Sequence, residues 1–192
     1  PKKYFDAFPL KEIQLPLGYR ENDLEDLPSE GKRMGPNRYF AHIRSHKQWR
    51  NAVQGYLASI YFADTMLGHV LDALEKGPNT KDTILVLWSD HGWHLGEKQH
   101  WQKFTAWRAC TRVPLIVRVP KGTPGLPKGT TPGICSKPVS LLSLAPTLLE
   151  LSGLPPVKAH DGPSLVPLLA DPKMNWSHVA ITHLDSPGSF GL

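Results

Sequence analysis

An uninterrupted apolar segment at residues 83–88 most constrains the fold of this chain. It is rich in strand-forming side chains and does not alternate with polar ones. A strand of this composition is covered on both faces, as in a parallel sheet. A second strand is predicted at residues 115–119, between Pro114 and Pro120, and a short one at residues 179–182.

Helices are predicted before and after these strands. Apolar residues recur every three or four positions from residue 53 to residue 74, and the pair Gly77-Pro78 should end that helix. A second helix is predicted over residues 141–151, with Pro146 in its first turn, where a missing N–H has no cost. Helices and strands therefore alternate along the chain.

This alternation predicts an α/β fold, a layered and mostly parallel sheet flanked by helices. Residues 1–45, punctuated by Pro and Gly, are predicted to be an irregular connecting segment, and residues 46–192 to form the C-terminal part of an α/β domain. Three strands are too few to complete such a sheet. We therefore expect the remainder of the same domain to supply further strands.

Charge and cysteine content do not indicate a nucleic-acid-binding, membrane-spanning or disulfide-rich protein. The formal net charge of +5 is spread along the chain, which is typical of a solvated surface, and no nucleic-acid-binding motif is present. No run of eighteen apolar residues predicts a membrane span. Cys110 and Cys135 lie too far apart to indicate a zinc knuckle or a disulfide framework.

Asp90 and His91 follow directly after the segment 83–89. In open α/β sheets, ligands bind beyond the carboxyl ends of the strands. A carboxylate and an imidazole at that position are both metal donors, and Gly92 lets the backbone turn or approach a ligand closely. From these residues alone, a metal site and an ordinary turn capped by Asp90 both remain open.

The residues that follow favour a ligand site. Many titratable and aromatic side chains fall within one loop, and such a density is costly to hold near a sheet end without a ligand. A lysine in this loop could hold a tetrahedral anion as a point charge. The side chains concerned are Trp93, His94, Glu97, Lys98, His100, Trp101 and Lys103.

Three motifs carry a resemblance to a known family. Ser-Asp-His-Gly-Trp-His-Leu-Gly-Glu at residues 89–97, Trp-Gln-Lys at 101–103 and Thr-Arg-Val-Pro-Leu at 111–115 resemble the sulfatase family, within the alkaline-phosphatase-like superfamily. The iduronate-2-sulfatase-like branch is the most similar, and the order and spacing match from roughly residue 50 to 170. The resemblance implies a sulfuric ester hydrolase that acts on a sulfated carbohydrate or a small sulfate ester.

The resemblance also implies roles for individual residues. Asp90 and His91 match two ligands of a divalent cation, which in this family is usually Ca²⁺. Donor chemistry alone keeps Zn²⁺ open, because calcium prefers oxygen ligands and imidazole suits zinc. Lys103 matches the lysine that contacts the sulfate and is the predicted catalytic residue. Trp93, His100 and Trp101 are predicted substrate contacts, together with Lys103.

The nucleophile that the resemblance implies is a formylglycine, made from a Cys or Ser in a Cys-x-Pro-Ser-Arg context. Neither Cys110 nor Cys135 has that context, and both are interpreted as structural thiols. We expect the nucleophile and the remaining metal ligands upstream of this chain, a smaller subdomain downstream, and no turnover by the isolated chain. Family members are commonly periplasmic, secreted or lysosomal, and the same is expected here.

Two alternatives stay open. A zinc phosphodiesterase or phosphonate hydrolase of the same superfamily shares Asp-His-Gly at the corresponding strand end. A non-catalytic relative would keep the fold and lack the nucleophile. The metal content and the sequence upstream of Pro1 would separate these possibilities.

Overall fold

The computed structural model describes residues 1–33 and 35–184 together with the backbone of residues 190–191. Two compact units divide these residues. The first unit comprises Pro1–Thr80 and His91–Val113, and the second comprises Lys81–Asp90 with the described residues from Pro114 onward. Each unit has its own buried residues.

The described residues contain one long helix, several shorter helices and short strands. The helices are α1 (Lys2–Asp6), α2 (Ser29–Lys32), α3 (Arg38–Ser45), α4 (Trp49–Lys76), α5 (Arg108–Thr111), α6 (Leu144–Leu151) and α7 (Val166–Ala170). The strands are β1 (Leu85–Trp88), β2 (His94–Leu95), β3 (Trp101–Gln102), β4 (Leu115–Arg118), β5 (Thr182–His183) and β6 (Phe190–Gly191). Short 3₁₀ turns occupy Leu10–Glu12, Glu97–Gln99 and Leu141–Ser143.

Helix α4 is the longest element of the first unit, and its predicted end is confirmed. It ends at Lys76, and the N–H of Gly77 donates to the carbonyl of Leu74 at 3.0 Å. Pro78 follows and cannot continue the helix. No helix among the described residues is both long enough and apolar enough to cross a membrane.

Aromatic side chains form the core of the first unit. Phe40 from α3 is 1% exposed and meets Trp49 and Tyr19 edge to face, with ring centroids 4.9 and 5.8 Å apart. Tyr4 of α1 packs edge to face on Tyr61 of α4 with a centroid distance of 5.3 Å. Edge-to-face pairs of this kind stabilise a core beyond the area that they bury.

Residues 1–45 were predicted to be irregular, but they contain the short helices α1, α2 and α3. Asn37 begins α3, because its side-chain oxygen accepts from the N–H of Phe40 at 2.9 Å. This is the usual N-cap arrangement for Asn. The segment packs against α4 in the same compact unit, while the predicted domain boundary after residue 45 stays a prediction.

Strands β1 and β4 lie where the sequence predicts strands, but their pairing corrects one expectation. They pair antiparallel, with Leu85 opposite Arg118 and Trp88 opposite Leu115. The expectation of parallel strands is wrong for this pair. An apolar run indicates burial and carries no information about strand direction. Parallel neighbours need a long crossover connection, usually a helix. Most of the chain between β1 and β4, residues 91–113, belongs instead to the first unit.

Helix α6 has the predicted position and ends as predicted. It begins at Leu144, so Pro146 falls in its first turn. Gly153, with φ of +67°, follows its end. Thr147 is 2% exposed and accepts from the N–H of Leu165 at 2.8 Å, which ties α6 to the start of α7. Of the strand predicted at residues 179–182, only Thr182 lies in a strand. Strand β5 spans Thr182–His183 and pairs antiparallel with β6.

Candidate functional site

Asp90 follows β1 by two residues and is exposed. It is the last residue of its segment of the second unit, whereas His91 begins a segment of the first. Asp90 therefore lies just beyond the end of β1, as the sequence predicted, but β1 belongs to an antiparallel pair of strands. Its predicted role as a metal ligand stays a prediction.

The imidazole of His91 has a defined tautomer. Its Nδ1 lies 2.8 Å from the carbonyl oxygen of Gly92. Because a carbonyl can only accept, Nδ1 carries the proton and the lone pair of the neutral ring is on Nε2. Ligating histidines typically donate their other ring N–H to a carbonyl in this way. The ring of His91 also stacks on Trp93, with centroids 6.4 Å apart.

Gly92 brings two backbone segments into direct contact. Its N–H donates to the carbonyl of Cys110 at 2.7 Å, and that of Trp93 donates to the carbonyl of Ala109 at 2.9 Å. A Cβ at residue 92 would lie 2.0 Å from the Ala109 oxygen, so the two backbone segments would have to move apart to accommodate a side chain. The absence of a side chain at Gly92 therefore permits the close approach of α5 to this turn.

A buried polar network lies beneath the loop that follows. His94 is 0% exposed, and its Nε2 lies 2.7 Å from the hydroxyl of Thr105, which is 2% exposed. Its Nδ1 lies 3.0 Å from the carbonyl of Glu97 and must carry the proton. Nε2 therefore accepts from Thr105, and the neutral ring satisfies both partners.

The environment of His94 favours this neutral form. Burial lowers the pKa of His94, and the neighbouring His100 lowers it further. The carbonyl and side chain of Glu97 oppose this effect in part. The two imidazole rings lie 5.1 Å apart. A neutral, fully hydrogen-bonded histidine at this position fixes the loop structurally.

Lys103 is held through its backbone. His100 is 8% exposed, and its Nε2 lies 2.9 Å from the carbonyl of Lys103. The ammonium group of Lys103 lies 5.2 Å from the ring centroid of Phe104, which is 67% exposed. His100 thus has a partner in the loop itself, and its predicted substrate contact stays a prediction.

The two predicted tryptophans have different environments. Trp93 stacks on Tyr56 of α4 with ring centroids 6.2 Å apart. Its indole nitrogen is buried and has no hydrogen-bond partner among the described residues. Trp101 lies in β3, opposite Leu95, and both its backbone groups bond to the side chain of Asn37.

Sequence reasoning missed the contacts made by Asp23 and Asn37. The carboxylate of Asp23 accepts from both the backbone N–H and the ammonium group of Lys98, at 3.0 and 2.8 Å, across a separation of 75 residues. No local pattern signals a contact at that separation. Asn37, in contrast, precedes a helix and has the residue type of an N-cap, a signal the sequence does contain.

The described part of the chain does not by itself provide a complete set of metal ligands. No group of three or more His, Cys, Asp or Glu side chains there could hold an ion. Of the two free cysteines, Cys110 is buried, as a structural thiol should be, and Cys135 is exposed. His91, His94 and His100 thus each have a defined ring partner in this segment, and Lys103 is anchored through its carbonyl.

Comparison with known proteins places this site in a family context. The family model described as Sulfatase matches residues 12–154. A protein named Sulfatase from Formosa agariphila is 43% identical over 174 residues, covering 88% of this chain and 32% of that protein. Iduronate 2-sulfatase from Mus musculus is 37% identical over 124 residues, covering 55% of this chain and 22% of that protein. The chain thus spans a third or less of the length of these relatives.

Two solved structures have a similar fold. Phosphonate monoester hydrolase SpPMH from Silicibacter pomeroyi superposes with a TM-score of 0.69 at 26% identity, covering 88% of this chain and 34% of that one. BT4656 in complex with its substrate D-glucosamine-2-N,6-O-disulfate superposes with a TM-score of 0.59 at 25% identity, covering 96% of this chain and 40% of that one. These likenesses confirm the predicted α/β class.

Proposed function

This chain belongs to the sulfatase family, and we propose that the protein is a sulfuric ester hydrolase that releases sulfate from a sulfated carbohydrate or a small sulfate ester. The observation that carries the proposal is the family match over residues 12–154. The matched residues include Asp90, His91 and Lys103. A similar protein of known structure is in complex with a disulfated glucosamine, which supports a sulfated sugar as the substrate class.

We propose that Lys103 binds the sulfate group. A lysine presents a compact positive charge, which suits a tetrahedral anion approached from several directions. Its backbone carbonyl is held by His100, and His100 lies against His94 in the buried network. This hydrogen bond fixes the backbone from which the Lys103 side chain extends, and a positioned charge stabilises developing negative charge with less reorganisation. This arrangement supports a catalytic role for Lys103.

We propose Asp90 and His91 as two ligands of a divalent cation. A carboxylate fits Ca²⁺, whereas an imidazole fits Zn²⁺ better, so the donor set is compatible with either ion. The proton on Nδ1 of His91 leaves Nε2 as the donor atom that the neutral ring offers. A bound cation would supply charge that neutralises sulfate oxygens. Further ligands would have to come from outside the described residues.

Trp93 and Trp101 remain proposed substrate contacts, as does His100. The buried indole N–H of Trp93, which lacks a partner among the described residues, supports a donor role toward a group outside them. We propose that the nucleophile, a formylglycine, lies in sequence outside these 192 residues, since neither cysteine has the required context. A periplasmic, secreted or lysosomal location is proposed on the same family grounds.

A phosphonate monoester hydrolase is the second candidate. The observation that favours it is the TM-score of 0.69 to a protein of that activity. Both activities use the same fold and hydrolyse an ester of a tetrahedral anion. They differ in the central atom of that anion, sulfur or phosphorus, and in the carbon substituent that a phosphonate keeps. Substrate preference and metal content therefore distinguish them.

The full-length natural protein provides the test. It is assayed with 4-nitrophenyl sulfate, a sulfated glucosamine and a 4-nitrophenyl phosphonate ester, and its metal content is measured by mass spectrometry. Preference for the sulfates with one calcium ion per chain would support the proposal. Preference for the phosphonate ester with zinc would replace it by the second candidate. No hydrolysis of any of these would favour a non-catalytic relative.

A further inference from the structure

The lysine loop, residues 97–104, contains backbone conformations that side-chain-bearing residues rarely adopt. The φ angle is +54° at Lys98, +49° at Gln99, +88° at Gln102 and +68° at Phe104. Left-handed backbone is routine only for glycine, and it is least favourable for bulky residues such as Phe. Four such residues within one loop persist only when surrounding contacts over-determine their conformation.

One source of such contacts is a segment that we term the brace, residues 23–33 and 35–37. The carboxylate of Asp23 accepts from the backbone N–H of Lys98 at 3.0 Å and from its ammonium group at 2.8 Å. The two side chains are only 13% and 24% exposed. Charge-assisted hydrogen bonds that are partly shielded from water are stronger than those of an exposed ion pair.

Asn37 holds the other half of the lysine loop. Its Oδ1 accepts from the N–H of Trp101 at 3.1 Å, and its Nδ2 donates to the carbonyl of Trp101 at 2.6 Å. Its own N–H donates to the carbonyl of Gln99 at 3.1 Å. Gly35 permits this close approach, because a Cβ there would lie 2.8 Å from the carbonyl of Lys98.

The brace therefore lies on one part of the loop and the buried histidines on another. His100 follows directly after the residues that Asp23 and Asn37 hold, and its ring binds the carbonyl of Lys103 at 2.9 Å. A shift of residues 98–101 would move His100 and with it the backbone of Lys103. Displacements of about 1 Å at a positioned group can lower a rate on the order of a hundredfold.

We infer that Asp23 and Asn37 are positioning residues, which hold the strained lysine loop in the conformation that presents Lys103 to the sulfate. Neither residue is a candidate metal ligand or substrate contact. The inference rests on the proposed function for the role of Lys103. The bracing of the loop is independent of that function and has a separate readout.

The test uses the full-length protein with two variants and a matched control. Asp23→Asn removes the charge but keeps an acceptor, and Lys98→Met removes the ammonium group but keeps the length of the side chain. Glu21→Gln is the control. It removes one acidic charge two residues from Asp23, from an exposed pair with Arg44 whose atoms are 2.8 Å apart.

We expect both Asp23→Asn and Lys98→Met to lower kcat/KM for a sulfate ester on the order of tenfold. Both should weaken inhibition by inorganic sulfate and speed amide hydrogen exchange across residues 97–104, with exchange in α4 unchanged. The double variant should lose no more than the stronger single variant, because both changes remove the same ion pair.

Glu21→Gln should match the wild type in all three measurements. Equal losses in Glu21→Gln, or unchanged exchange at residues 97–104 in Asp23→Asn, would overturn the inference. If the wild-type protein hydrolyses no sulfate ester, the proposed function fails. Hydrogen exchange then still decides whether the brace holds the loop.

Discussion

Replacing Thr105 by Val tests whether the buried histidine network holds the loop that carries Lys103. The change removes a hydroxyl with little change of shape, so its main effect is the loss of the 2.7 Å contact to Nε2 of His94. His94 is 0% exposed, so water does not readily replace the lost partner. A buried polar group left without a partner costs about 1–3 kcal/mol, and we expect the free energy of unfolding to fall by that amount.

The assay is urea denaturation of the full-length protein, followed by tryptophan fluorescence and analysed for unchanged m-values. Thr130→Val is the matched control, since the Thr130 hydroxyl donates to the carbonyl of Pro127 at 2.9 Å in an exposed turn. Water can satisfy that carbonyl, so the control should change stability by less than about 0.5 kcal/mol. Equal stabilities for the two variants would refute the assignment of the network as structural.

Two further predictions concern the same part of the fold. Gly92→Ala should destabilise the protein by about 1–3 kcal/mol, because a Cβ there would lie 2.0 Å from the Ala109 oxygen. The control is Gly68→Ala in α4, where a Cβ meets nothing within 4 Å and should stabilise the protein slightly. Equal shifts of the melting temperature in the two variants would contradict this prediction. Because burial lowers the pKa of His94 below 6.5, the unfolded state binds more protons as the pH falls through that value. Stability should therefore decrease below pH 6.5, and a urea series from pH 7.5 to about 4.5 should show a smaller decrease for His94→Gln.

The features that the sequence predicted correctly are those marked by residues close together in the sequence. The end of α4 follows from Gly77-Pro78, and the place of Pro146 follows from the tolerance of a helix's first turn for proline. Both depend on residues adjacent in sequence. Strand direction does not, and the antiparallel pairing of β1 with β4 could not be read from two apolar runs.

The sequence predicted which residues gather at the candidate site, but not the contacts that hold them in place. A dense set of polar and aromatic residues after a strand indicated a ligand site around Lys103. The support for that loop comes from Asp23 and Asn37, 75 and 64 residues away from their partners Lys98 and Trp101. Contacts at that distance leave no periodic signal, because each depends on how the intervening chain folds.

The release of inorganic sulfate is the most direct test of the central claim. The full-length protein and its Lys103→Ala variant are incubated with a sulfated glucosamine, and free sulfate is measured by ion chromatography. We predict sulfate release by the wild type and a loss on the order of a hundredfold in the variant, the size expected when one group that stabilises the developing charge is removed. Equal release by the two proteins would contradict the role of Lys103, and no release by the wild type would contradict the proposed function itself.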